Sequence, residues 1–280
     1  MKVAITGYLG MLGSELYKLF REKNNTVTGF DRDKFDLTDF SRTESEIAKF
    51  SPDILIHTAA MTDVDGCEKE PSQAEMLNHL VTENLAKICG KKKIKLVYIS
   101  TDYVFSGKKQ DYYIESDTTH PISVYGWTKL RGEKKVKKHK RNLIIRISWL
   151  FGKKRKNFVN FVVDNLKKDS EIRIINDQVG TPTYAVDLSL AIKFLIQKDA
   201  SGIFHCSNSD ECTWYDWAVY IQKISRLGGE ITPISVKDFP RPAPRPKNSR
   251  LLNSRLVEEY SYKMPSWHNA TKRFLKELGY

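Results

Sequence analysis

Short runs of β-branched and aliphatic residues alternate with longer amphipathic stretches through the first half of the chain. Lys2–Thr6, Thr26–Phe30, Asp53–His57, Lys95–Ile99 and Asn142–Ile147 read as strands. Between them, Met11–Glu22, Arg42–Phe50, Ser72–Lys91 and Ser123–Lys138 carry apolar positions at helical spacing. Ile54, Leu55 and Ile56 in succession make a strand apolar on both sides, as a sheet covered on both faces requires. Strand and helix in alternation give parallel strands with crossover helices. The pattern predicts an α/β fold with a Rossmann-type doubly wound parallel sheet over residues 1–150.

Past residue 150 the alternation loosens. Pro182, Pro233 and the run Pro240-Arg-Pro-Ala-Pro-Arg-Pro246 punctuate shorter elements. That run excludes a helix or central strand and reads as an extended linker or surface loop. Residues 151–280 are expected to form a smaller substrate-binding portion, with some segments returning to the sheet.

Composition narrows the class. Hydrophobic residues are 40% and charged ones 29% of 280, which excludes a disordered chain. No apolar run approaches the roughly 20 residues of a membrane helix; Leu143–Phe151 comes closest and carries Arg146. The start shows no signal-peptide pattern, so a soluble, cytoplasmic protein is expected. The cysteines at 67, 89, 206 and 212 lack C-x-x-C spacing and read as reduced thiols, with no disulfide framework or zinc site.

The glycine cluster Gly7-Tyr8-Leu9-Gly10-Met11-Leu12-Gly13 follows the first strand and opens a helix. Gly7 permits a tight turn, Gly10 a close backbone approach to a pyrophosphate, and Gly13 close helix–strand packing. The N–H groups of Met11 and Leu12 at the helix start then face the phosphates. Asp31 ends the second strand, where a carboxylate binds the adenosine ribose; Arg32 beside it suits a 2′-phosphate. The two residues point in opposite directions, so NADPH or NADH remains open.

Tyr125 and Lys129 stand at i and i+4 behind a Ser123 cap and share one helix face. An ammonium about 4 Å from a phenol, at an effective dielectric of about 20, favours the phenolate by about 4 kcal/mol before desolvation. That would lower the tyrosine by up to about three pKa units. Thr101, in Ser100-Thr101-Asp102-Tyr103-Val104-Phe105, ends the fourth strand, where open α/β sheets bind ligands. Thr58-Ala59-Ala60 ends the third strand with small residues that admit a cofactor.

The glycine motif, Ser-Thr-Asp-Tyr-Val-Phe and Tyr-Gly-x-Thr-Lys-Leu together resemble the extended short-chain dehydrogenase/reductases. Within these the chain is most similar to the dTDP-4-dehydrorhamnose reductases. Asn176-Asp-Gln-Val-Gly-Thr-Pro-Thr183, Thr213-Trp-Tyr-Asp216 and Arg245-Pro-Lys-Asn-Ser249 carry the resemblance to this branch. The resemblance implies reduction of the C4 ketone of a nucleotide-linked 4-keto-6-deoxy sugar, dTDP-4-dehydro-L-rhamnose to dTDP-L-rhamnose. It implies catalytic roles for Thr101, Tyr125 and Lys129, the last two also holding the cofactor. It places Asp36 and Leu37 at the adenine, and Ala59 and Ala60 at the nicotinamide half. Asp102, Tyr103 and Trp149 fall where the family shapes its sugar pocket. Asn157 and Arg245 are further substrate candidates, Arg245 toward the diphosphate. Tyr8, Leu9 and Met11 depart from the family's usual glycine-loop residues. Some members use a divalent metal at a dimer interface; no acidic ligands map here, and no metal is expected.

Three alternatives stand beside this reading. A reductase of another nucleotide-linked 4-keto sugar shares the same residues. A 4,6-dehydratase or epimerase would carry Asp-Glu after the threonine, whereas Asp102-Tyr103 stand here. A non-catalytic NADP-binding regulatory subunit, as for methionine adenosyltransferase, would lack turnover. Trp214-Tyr-Asp-Trp217 reads as core packing.

The net charge of +12 admits nucleic acid, an anionic substrate or a lysine-rich proteome as its cause. No nucleic-acid-binding motif accompanies it. The excess is local: residues 129–156 hold 13 Lys and Arg against Glu133 alone. Arg131, Lys134, Lys135 and Lys138 form a stripe expected to be a solvated face. A like-charged stripe repels itself across a two-fold axis, so a monomer, or a homodimer not built on the Tyr125–Lys138 helix, is expected.

Overall fold

The structure, a computed structural model, describes residues 1–22 and 25–280. In chain order, β1 (Lys2–Thr6), α1 (Met11–Arg21), β2 (Thr26–Phe30), α2 (Phe40–Phe50) and β3 (Ile54–His57) open the fold. A short α3 (Val64–Lys69) follows, then α4 (Pro71–Ala74), a π-helical turn over Glu75–Leu80, and α5 (Val81–Lys92). Next come β4 (Lys95–Thr101), α6 (Val124–Val136), β5 (Leu143–Ile147), β6 (Leu150–Phe151) and α7 (Phe158–Leu166). The later chain forms β7 (Ile172–Ile175), β8 (Val179–Gly180), β9 (Thr183–Tyr184), α8 (Ala185–Gln197), β10 (Gly202–His205) and β11 (Cys212–Thr213). It ends with α9 (Trp214–Ser225), β12 (Ile231–Ile234), β13 (Asn248–Ser249), α10 (Ser254–Tyr260) and α11 (Trp267–Glu277).

Six parallel strands form the main sheet in the order β10-β5-β4-β3-β1-β2. The two-residue period of a strand sorts its side chains between two cores. Val3, Ile5, Ile54, Ile56, Leu143 and Ile145 face α1 and α8. Ala4, Leu55, Leu96, Tyr98 and Ile144 face the layer of α2, α5 and α6. The chain runs from β1 outward to β2 on one side, then returns to start β3 on the other. The gap between β1 and β3 is therefore the topological switch point, where such sheets bind ligands.

Residues 151–280 contribute β10 to this sheet and α8 to its covering layer. The remainder builds a third core around Phe151, Val162, Tyr184, Trp217 and Phe274. The proline run is a surface loop rather than a linker, and it is tied down. Asp65 accepts the Ala243 N–H at 3.0 Å and holds Arg245 in two bonds of 2.8 and 3.0 Å. The basic stripe also differs from a fully solvated face. Arg131 pairs with Glu75 at 2.7 Å, and Lys135 with Glu83 at 2.9 Å, so half of it is neutralised by the neighbouring helix. Arg131, Lys134 and Lys138 are all exposed, as the stripe's spacing predicts.

One buried ion pair fixes α6 to the sheet. Arg146 on β5 donates to both carboxylate oxygens of Glu133, at 2.9 and 2.8 Å, and its guanidinium lies 5.1 Å from the Phe105 ring. Both side chains are buried, so removing one leaves an uncompensated charge. Glu133→Gln is expected to cost about 3–5 kcal/mol of unfolding free energy, measured by urea denaturation. The double variant Glu133→Leu/Arg146→Leu is expected to cost clearly less than the two single changes summed.

Candidate active site

The switch point opens into a cleft of about 610 Å³ that runs from the glycine loop to the carboxyl end of β4. The glycine loop turns at Gly7, whose φ of +66° favours glycine. A Cβ on Gly13 would lie 2.1 Å from the Gly7 carbonyl oxygen, so α1 approaches the loop as closely as a bare backbone allows. Gly10 is the N-cap of α1 and offers no side chain to it. The first-turn N–H groups of α1 therefore await an acceptor from outside the helix. Thr58 braces the loop from β3, donating to the Thr6 carbonyl at 2.7 Å.

Gly7, Gly10, Met11, Leu12 and Gly13 line this cleft, as do Asp31, Arg32, Asp36, Leu37, Ala59 and Ala60. The Asp31 carboxylate accepts N–H bonds from Leu9 at 3.2 Å and Arg32 at 2.9 Å. The Thr38 backbone N–H holds the Asp36 carboxyl below its ordinary range. Tyr8, a departure within the loop, turns away from the helix start. Its hydroxyl donates to Asp33 at 2.8 Å, and its ring lies flat against Gly29. These features suit a dinucleotide: a cradle that a Cβ would fill, unpaired N–H donors and a carboxylate at the ribose position.

At the other end α6 lays Tyr125 and Lys129 beside Thr101. Ser123 caps α6 by accepting the Gly126 N–H at 3.2 Å. Lys129 is buried, donates to the Ile99 carbonyl at 2.7 Å and lies 4.1 Å from the Tyr98 ring centroid. Burial lowers its pKa to about 7, with Glu133 opposing. Burial also pushes the Tyr125 phenol well up, against a smaller downward effect from Thr101. The expected lowering of the Tyr125 pKa is therefore corrected. The ammonium is spent on a carbonyl and a ring face, and desolvation of the phenol wins, so Tyr125 stays a neutral acid at pH 7.

Thr101 Oγ1 donates to Asp102 at 2.9 Å and accepts the Tyr103 N–H at 3.2 Å. Ser148 donates to the other Asp102 oxygen at 3.2 Å. Burial raises Asp102 to about 6, with Ser249, Thr101 and Ser148 opposing. Tyr103 meets Tyr125 edge to face at 5.5 Å. Trp149 lines the cleft with its ring stacked 3.6 Å from that of Trp214.

Of the other two substrate candidates, Asn157 lines the cleft and Arg245 does not. Arg245 does not line the cleft, because Asp65 holds its guanidinium. Asn157 lines it, but its amide serves its own loop. Nδ2 donates to the Gly152 carbonyl at 2.7 Å, and Oδ1 accepts the Val159 N–H at 3.0 Å.

Several contributors escaped the sequence reading. Asn78 sits in the π-helical turn and is buried. Its Oδ1 accepts the Met61 N–H at 2.8 Å, and its Nδ2 donates to the Met61 carbonyl at 3.1 Å and to Thr128 at 3.2 Å. It thus ties the loop after β3 to α6. Nothing in a helical heptad pattern marks such a turn. His57 bridges Thr6 and Thr82, and burial lowers it to about 3, keeping it neutral. Trp214 and Trp217 also line the cleft; their spacing reads as core, and stacking on Trp149 makes them both core and wall. Among the described residues no group of three metal-binding side chains occurs, and no helix is long and apolar enough to cross a membrane.

Comparison with known proteins follows this geometry. A solved dTDP-4-dehydrorhamnose reductase from Clostridium acetobutylicum superposes with a TM-score of 0.96 at 36% identity, covering 100% of both chains. A Bacillus anthracis dTDP-4-dehydrorhamnose reductase, solved in complex with NADP, gives 0.96 at 36%, covering 99% of both. The spore coat polysaccharide biosynthesis protein SpsK of Bacillus subtilis is 34% identical over 277 residues, covering 99% of this chain and 97% of the relative. The family model for the RmlD substrate binding domain matches residues 1–280, and the chain belongs to that family.

Proposed function

We propose that this chain uses NADPH or NADH to reduce the C4 ketone of a nucleotide-linked 4-keto-6-deoxy sugar, dTDP-4-dehydro-L-rhamnose to dTDP-L-rhamnose. The observation that carries the reading is the convergence of Thr101, Tyr125 and Lys129 at one end of a cleft whose other end is a phosphate cradle. The similarity to dTDP-4-dehydrorhamnose reductases, one solved with NADP, supports it.

When bound, the reduced dinucleotide supplies a hydride. The glycine loop would hold its diphosphate and Asp31 its adenosine ribose, with Arg32 available to a 2′-phosphate. Lys129 has two further N–H groups for the nicotinamide ribose. Tyr125, protonated at neutral pH, donates its proton to the sugar oxygen as negative charge develops there. Thr101 orients that oxygen, its own hydroxyl held by Asp102. Trp149 and Tyr103 wall the sugar pocket and exclude water. Asp102 is the lone carboxylate beside Thr101 and is bonded by hydroxyls, which disfavours the second proton abstraction of a dehydratase. The four cysteines are buried free thiols, in keeping with a cytoplasmic site of action. The exposed Lys134 and Lys138 favour a monomer, or a dimer that avoids α6.

Tyr125→Phe is expected to lower kcat by about a hundred- to ten-thousandfold while leaving the dinucleotide dissociation constant within about threefold. Steady-state kinetics with dTDP-4-dehydro-L-rhamnose and fluorescence titration of NADPH check this. Wild-type turnover in that variant would sink the assignment, and absence of turnover in the native chain would favour a regulatory subunit.

Lys129 also gives a proton-linkage signature. Its lowered pKa of about 7 leaves it mostly neutral at pH 8. An anionic ligand raises that pKa, so binding takes up a proton. Calorimetry with NADH at pH 8, in buffers of different ionisation enthalpy, is expected to show uptake of a fraction of a proton. Lys129→Met is expected to abolish it.

A further inference from the structure

The basic run Lys153–Lys156, between β6 and α7, spends its charge in two directions. Lys153 reaches Glu277 on α11 at 3.5 Å. Burial raises the Glu15 carboxyl of α1, and Lys153 and Lys154 are among the charges that oppose that rise. Arg155 and Lys156 line the cleft instead, and neither pairs with a carboxylate among the described residues.

The loop that presents these two cations is built. Asn157 Nδ2 closes it, donating to the carbonyls of Gly152 at 2.7 Å and Arg155 at 3.5 Å. Arg155 is held at a φ of +68°, a backbone region that favours glycine and that non-glycine residues adopt only when their surroundings impose it. Gly152 backs onto the glycine loop, where a Cβ would lie 3.2 Å from Met11 Cγ. So the turn that aims Arg155 and Lys156 is packed beside the start of α1.

Charge bookkeeping in the cleft sharpens their role. The N–H groups at the start of α1 offer dipoles but no full charge. Of the other cations lining the cleft, Lys129 is buried behind β4 and Arg32 follows β2. We propose that Arg155 and Lys156 form a cationic clamp on a diphosphate bound in the cleft. The proposal rests on the reading of a dinucleotide and a nucleotide sugar as ligands, each of which carries a diphosphate. The clamp supplies the full positive charge that the glycine loop lacks, and being exposed it is screened by salt.

The test compares Arg155→Gln/Lys156→Gln with Lys153→Gln/Lys154→Gln, which removes equal charge from the same loop outside the cleft. NADPH binding is read by fluorescence and dTDP binding by calorimetry, each over a range of salt. The clamp double variant is expected to weaken at least one ligand by about five- to twentyfold and to flatten its salt dependence. The control variant is expected to stay within about twofold of wild type. Weakening of NADPH alone places the clamped diphosphate on the cofactor; weakening of dTDP alone places it on the sugar nucleotide. Both ligands unchanged, or equal losses in the control, would overturn the proposal. Matching thermal midpoints establish that the variants are folded. Neither readout needs turnover, so failure of sugar reduction and failure of the clamp are distinguishable.

Discussion

The Lys129 ammonium sits behind β4, bonded to the Ile99 carbonyl and resting on the Tyr98 ring. That burial fixes much of the site. It requires α6 to cross the carboxyl end of β4 closely, which carries Tyr125 to Thr101. The Glu133–Arg146 pair holds the same helix to β5, and Asn78 holds it to the loop after β3. The same desolvation that lowers Lys129 raises Tyr125. The protonation of the tyrosine is thus set by its surroundings rather than by its lysine, and the phenol stays neutral at neutral pH.

The two halves of the cleft use different physics. At the glycine end the backbone shapes the cleft: close approach, first-turn N–H groups and a helix start. At the β4 end side chains do it, in a buried network of Thr101, Asp102 and Ser148. Arg155 and Lys156 stand over the junction with α1, where neither backbone nor buried network supplies a full charge.

The parallel sheet was legible because Val3, Ala4 and Ile5, or Ile54, Leu55 and Ile56, are apolar on both faces, a pattern that admits few other folds. The glycine loop and the Tyr125–Lys129 spacing were legible because they are local. What depends on distant partners was not. No local signal sends Arg245 to Asp65, since the two are brought together only by the proline run folding over α3. The π-helical turn at Asn78 hides inside an ordinary helical pattern. The expected lowering of the tyrosine failed because the estimate was made before desolvation, whose size depends on how deeply the fold buries the phenol, and the lysine's bond to a carbonyl is invisible in sequence. The basic stripe is solvated as its spacing suggests, but the pairing of Arg131 and Lys135 was not legible because Glu75 and Glu83 lie outside its own helix.

Net reduction consumes a dinucleotide for every sugar made. The most direct measurement mixes the protein with NADPH and dTDP-4-dehydro-L-rhamnose, then quantifies oxidised dinucleotide and product by absorbance, mass and NMR. One dinucleotide is expected to be oxidised for each dTDP-L-rhamnose formed. Sugar conversion without dinucleotide consumption, as in an epimerase or dehydratase, would contradict it.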